Sequence, residues 1–161
     1  MCEILKRQIL SALETLRQCI DNCPDSEWDE THGDAPFSQV LFHVLVYTDL
    51  YLLESGEDFK NQRFHLENKN FFKDYYDLEN KIPKNVYLKE DIVIYYNFCY
   101  KKAMDYEQND LMKQSHWAKR TIYEQIISGL IRHIQHHAAQ LGLRIQQITG
   151  KELKWIGTIE N

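Results

Sequence analysis

Two histidines one helical turn apart, His133 and His137 in the run His133-Ile134-Gln135-His136-His137-Ala138-Ala139-Gln140, carry the spacing in this chain best suited to chemistry. A helix turns by about 100° per residue, so positions four apart share a face, and Ile126 and Leu130 mark that face as apolar and inward. His133 and His137 stand at its edge, whereas His136 points toward the rim. Neutral imidazole is the commonest protein ligand for metals, and an i, i+4 pair supplies two adjacent corners of a coordination sphere without bending the backbone. A third ligand has to come from elsewhere in the chain.

His43 meets that need. It is the single histidine of the apolar run SQVLFHVLVYTDLYLLE, with Val40, Val44 and Tyr47 on its own face. A buried imidazole must satisfy both ring nitrogens or suffer a desolvation penalty, and within its helix only Tyr47 or Glu54 is placed to help. The competing reading of such a residue is a hydrogen-bonded core histidine. His32 and His65 fall in polar connections and read as solvated.

The elements that must position these residues are helical. Residues 3 to 20 place Ile4, Leu5, Ile9, Leu13, Leu16 and Ile20 at helical period. Pro24 closes that helix, and the loop after it carries Trp28, predicted to plug the fold. A second, deeply buried helix is predicted from Phe37 to Glu54, with Ser38 as a cap and Gly56 as a stop. Residues 56 to 89 form a long aromatic connection in which Phe71, Phe72, Tyr75, Tyr76 and Tyr87 either cover a pocket mouth or pack on the outside of the fold. A third helix starts near Leu88, has Asp91 in its first turn, and offers Ile94, Phe98 and Met104 to the core. Asn109-Asp110 breaks the chain, and Lys113 to Trp117 leads into the last helix. That helix runs from about Ala118 to Ile148 and carries Ile122, Ile126, Leu130, Ile134, Leu141 and Ile148 inward. Trp155 in the tail is expected to dock. The pattern describes an all-α protein, a four-helix bundle with a long crossover between helices 2 and 3 and a site between helices 2 and 4.

Composition sets the outer bounds. At 161 residues, with three Pro and six Gly, residues 1 to 161 read as a single helical domain that needs no disulfide or structural metal for its core. A net charge of -5 and a pI near 5.8 give no electrostatic ground for binding nucleic acid or an anionic membrane. No apolar run reaches the length of a membrane span, and MCEILKRQIL lacks the features of a signal peptide, so a cytoplasmic location is expected. Cys2, Cys19, Cys23 and Cys99 contain no CxxC and are expected as free thiols. There is no Glu-x-x-His, which excludes a ferritin-like di-iron centre, and no His-Glu-x-x-His, since Ile134 stands where that motif has its base. A one-metal, three-histidine site survives.

The early second-helix histidine in LFHVLVYTDLYL, the long crossover and HIQHHAAQLGL in the last helix resemble the DinB/YfiT-like metal-binding four-helix bundles, across nearly the whole chain. Many members have Arg-Gly where this chain has Ala138-Ala139. The resemblance implies His43, His133 and His137 as metal ligands. It also implies thiol-dependent transferase or isomerase chemistry with bacillithiol, mycothiol or glutathione, or metal-dependent hydrolysis. Three neutral imidazoles leave a divalent ion (zinc, nickel, iron or copper) its full charge and an open position, suited to activating water or a low-molecular-weight thiol. The leading expectation is therefore a metal-dependent thiol S-transferase acting on a small-molecule substrate. The alternatives are a non-catalytic metal- or ligand-binding stress-response bundle and a metal-dependent hydrolase. Tyr47 and His136 are candidates for proton handling. Gln140 either orients a ligand or caps a polar group. Apolar outer arcs on helices 1 and 3 leave room for a homodimer.

Overall fold

The computed structural model describes residues 3–31, 35–53, 87–116 and 119–159. They form four helices: α1 (Glu3–Asn22), α2 (Phe37–Tyr51), α3 (Lys89–Asp105) and α4, which runs without a break from Ile122 to Thr149. No strand occurs among the described residues, and no helix there is long and apolar enough to cross a membrane. The crossover expected between α2 and α3, including His65, Phe71, Phe72, Tyr75 and Tyr76, lies outside the described residues. So do Cys2, His32, Glu54, Gly56, Trp117 and Ala118.

Each helix forms because its apolar residues recur every third or fourth position, and each packs on the side where they do. Leu5, Ile9, Leu13, Leu16 and Ile20 of α1 are buried, while Ile4, one position off that arc, is exposed. In α2 nearly every side chain from Phe37 to Leu50 is buried, because α3 and α4 both pack on it. Complete burial of one such Leu or Ile contributes about 1.5–3 kcal/mol, so the shared core cluster dominates the favourable side of folding.

Several expectations need correction. Ser38 does not cap α2: Pro36 occupies the N-cap, and Ser38 sits inside the helix, donating its hydroxyl to Asp29 Oδ1 at 2.9 Å. In α3 the inward arc is Ile92, Tyr95, Tyr96, Cys99 and Ala103, and both Ile94 and Met104 are 50% exposed. Two tyrosines displace the aliphatic residues because each finds an acceptor for its hydroxyl. Tyr95 donates to Asp49 Oδ2 at 3.1 Å and Tyr96 to Glu14 Oε2 at 3.5 Å, so the rings are buried without stranding the polar tips. Phe98 is partly buried against the core.

Tyr87 is no lid; it is buried and stacked on Phe42 with ring centroids 3.9 Å apart. Trp28 plugs the fold as expected, its Nε1 donating to Tyr87 O at 2.7 Å. Trp155 is 77% exposed and Ile148 is also exposed. The tail is held instead by Leu153 and Ile159, which pack against the core, and by its backbone: Gln18 Nε2 donates to Lys154 O and Gln18 Oε1 accepts from Lys154 N, both at 3.0 Å. Gly150 allows the turn into that tail, ending α4 in the left-handed region at φ 71°. Cys19, Cys23 and Cys99 are buried free thiols.

The start of α4 is set by a capping box, in which Thr121 Oγ1 accepts from Glu124 N while Glu124 Oε2 accepts from Thr121 N. After one α-helical turn (Ile122–Glu124) the helix widens into a π segment over Gln125–Ile131, then returns to α-helix over Arg132–Thr149. Segments of this kind are rare and collect at functional sites. Its trace in the sequence is a strict four-residue repeat, Ile122, Ile126, Leu130, Ile134 and Ala138, all buried. An α-helix rotates such a repeat away from one face, whereas i→i+5 bonding slows the rotation and keeps the row inward.

Candidate metal centre

His43 projects from the middle of α2, and α4 packs against α2 directly behind the π segment. This brings His133 and His137, one turn apart on α4, across from His43, although 90 residues separate His43 from His133 along the chain. The Nε2 atoms of His43 and His133 are 3.0 Å apart. Ring centroids lie 5.1 Å apart for His43 and His137 and 4.6 Å apart for His133 and His137. One nitrogen from each ring lies within 4.8 Å of those of the other two. In a tetrahedral zinc site with bonds of about 2.0–2.1 Å, ligand nitrogens stand about 3.3 Å apart. Small side-chain movements therefore suffice to close the three rings around one ion.

The side chain of Gln140 prepares the third ligand. Its Oε1 lies 2.9 Å from His137 Nδ1. An amide oxygen can only accept, so that nitrogen carries the hydrogen and Nε2 keeps its lone pair. Gln140 is thus the group that sets the His137 tautomer. The Gln140→Ala variant is expected to lose about 10- to 100-fold in metal affinity with unchanged helicity, measured by competition with a chromogenic chelator. Unchanged affinity would refute the tautomer role.

Electrostatics favour neutral rings. Burial, reinforced by the neighbouring imidazoles of His133 and His137, pulls the His43 pKa down to about 3. Burial, with His137 and His136 beside it, does the same for His133, also to about 3. Neutral imidazole is the metal-binding form, so the pocket holds its ligands ready near neutral pH. His133 Nδ1 is buried with no hydrogen-bond partner among the described residues. Three imidazoles from two helices converge with one nitrogen each within 4.8 Å of the others, an arrangement suited to holding one cation.

Tyr47 packs its ring 4.8 Å from that of His43 and 5.0 Å from that of His133, walling the group on one side. His136 is exposed and lies edge-on to His137 at 4.9 Å, outside the three-histidine group. His43 and His137 are 5% and 4% exposed, so His133 is the ligand that solvent partly reaches. The fully buried Asp49, bonded to Lys102 on α3, was not legible from spacing, because its partner lies 53 residues away and shows no periodic relation to it. No protein-family model, curated protein or solved structure matches the chain.

Proposed function

We propose that this protein binds one divalent metal ion through His43, His133 and His137 and uses it as a thiol S-transferase of the DinB/YfiT-like type. The convergence of three imidazoles from two helices carries the reading. A divalent ion in that position acts as a Lewis acid and lowers the proton affinity of the water or thiol that takes its open position. The chain's own residues supply the rest. Gln140 holds His137 in the ligating tautomer, burial keeps His43 and His133 uncharged, and Tyr47 covers the pair. The substrate side is the rim at His133, since His43 and His137 are sealed.

That sealing also favours a second reading, a non-catalytic bundle whose metal serves binding or stability. One experiment separates the two: metal analysis of protein purified without an immobilised-metal column, followed by a conjugation panel across low-molecular-weight thiols and an ester panel. A stoichiometric metal with metal-stimulated thiol conjugation is the expected result. Stoichiometric metal with no turnover favours the second reading, metal-stimulated ester cleavage alone favours a hydrolase, and the absence of metal affinity refutes all three.

A further inference from the structure

A cavity of about 300 Å³ opens where the ends of α2 and α3 meet the start of α4, with Leu53, Tyr106 and Ile122 as its apolar walls. It shares no residue with the three-histidine group. Its size stands at the small end of the range for small-molecule sites. The wall on the α4 side is fixed by backbone pairing, in which Ser115 N donates to Arg120 O and Ile122 N to Lys113 O, both at 2.9 Å. The hollow is therefore already formed, and a ligand entering it has little chain to order.

The polar groups that line it are spent unequally. Asp110 N can only donate, and its bond to Gln108 Oε1 at 3.1 Å orients that amide with its NH₂ group left over. Tyr51 O can only accept, and it takes one hydrogen of Gln125 Nε2 at 3.1 Å, while Gln125 Oε1 accepts from Ser115 Oγ. Both glutamines thus use their oxygens inside the protein and keep N–H groups in reserve, with Gln125, 3% exposed, the most buried residue of the lining. Lys113 and His116 complete the polar side. Lys113 makes no ion pair among the described residues, and no carboxylate lines the cavity. A hollow rich in unused donors, with a lysine and no acid around it, complements a ligand that is rich in acceptors and negatively charged.

We infer that this cavity is a second ligand site, for a small polar molecule carrying one carboxylate or phosphate group. The anionic group lies at the mouth with Lys113, His116 and Gln108 Nε2, and the uncharged part extends toward Ile122 and Gln125. The site goes beyond the metal reading and does not depend on it.

The test is calorimetric titration of the full chain with glycerol 3-phosphate and with gluconate, each beside its neutral counterpart, glycerol or glucitol. At least one of the two anions is expected to bind, about 10-fold or more tighter than its neutral counterpart, the worth of one charge-assisted hydrogen bond; which anion wins distinguishes phosphate from carboxylate. Gln108→Glu keeps an oxygen for Asp110 N and replaces the spare NH₂ by a negative oxygen, so it should weaken the anion by about 10-fold or more. Lys113→Gln, an exposed change that leaves the fold intact, should weaken it by about 10-fold. His43→Ala should leave it unchanged. Binding of neither anion, equal binding of anion and neutral polyol, or full affinity in both Gln108→Glu and Lys113→Gln overturns the inference. Loss of binding in His43→Ala alone places the anion at the histidine group and overturns it as well, while the metal reading stands.

Discussion

Replacing Lys102 by methionine is expected to lower the unfolding free energy by about 3–5 kcal/mol. Asp49 is completely buried, and Lys102, whose side chain is 18% exposed, donates its ammonium protons to Asp49 Oδ1 and to Asp49 O. Tyr95 donates to the second carboxylate oxygen. Without the ammonium, the buried carboxylate loses the charge-assisted pair that offsets its desolvation. Asp49→Asn is expected to cost less, about 1–2 kcal/mol, because its amide still accepts from Tyr95 and the lysine head can turn toward water along its flexible stem. Pairing Lys102→Met with Asp49→Leu is expected to recover most of the loss, since buried ion pairs give way to apolar packing at little net cost. Urea unfolding with linear extrapolation measures all three. The solvent-exposed Lys101–Asp105 pair is the comparator, and Lys101→Ala is expected to change stability by less than about 0.5 kcal/mol. A Lys102→Met loss no larger than that would refute the account of the buried pair.

His43→Ala is expected to remove metal-dependent stabilisation. Structural zinc sites are worth about 10–16 kcal/mol over their whole ligand set, so one ligand of several accounts for about 10²- to 10³-fold in affinity. At a metal concentration about 100 times the wild-type dissociation constant, binding adds about 2.7 kcal/mol to wild-type stability, and almost none of this should survive in the variant. His136→Ala is the internal control. That ring contacts His137 but stands outside the three-histidine group, so the metal effect should be retained. Thermal unfolding with and without Zn²⁺, each against a chelator-treated sample, reads both variants. An equal Zn²⁺ response in His43→Ala and wild type would remove His43 from the site.

These two sites differ in how far they could be read before the fold was known. His133 and His137 are linked by local geometry: four residues along a helix place two rings on one face whatever else the chain does, and the flanking Ile and Leu residues say which way that face points. His43 was legible by a different argument, as an imidazole on an apolar face with no adequate partner nearby. Asp49 and Lys102 had no such mark. A carboxylate in a hydrophobic helix looks like an error in the pattern until a cation from α3 is brought to it. In the same way Ile94 and Met104 lost their expected core positions to Tyr95 and Tyr96, because a tyrosine's polarity counts against burial only until an acceptor arrives from another helix.

The local pattern was sufficient to specify helices, the inward faces of α1 and of the second half of α4 apart from Ile4 and Ile148, which are exposed, and the identity of the three candidate ligands, because each depends on rotation per residue and side-chain chemistry over one or two turns. The meeting of His43 with His133, the Gln140 contact that selects a His137 tautomer, the π segment and the cavity lined by Gln108 and Gln125 depend on how whole helices pack. Packing is a cooperative outcome of many long-range contacts, so spacing along the chain can nominate the groups that meet but leaves open the distance and orientation at which they do.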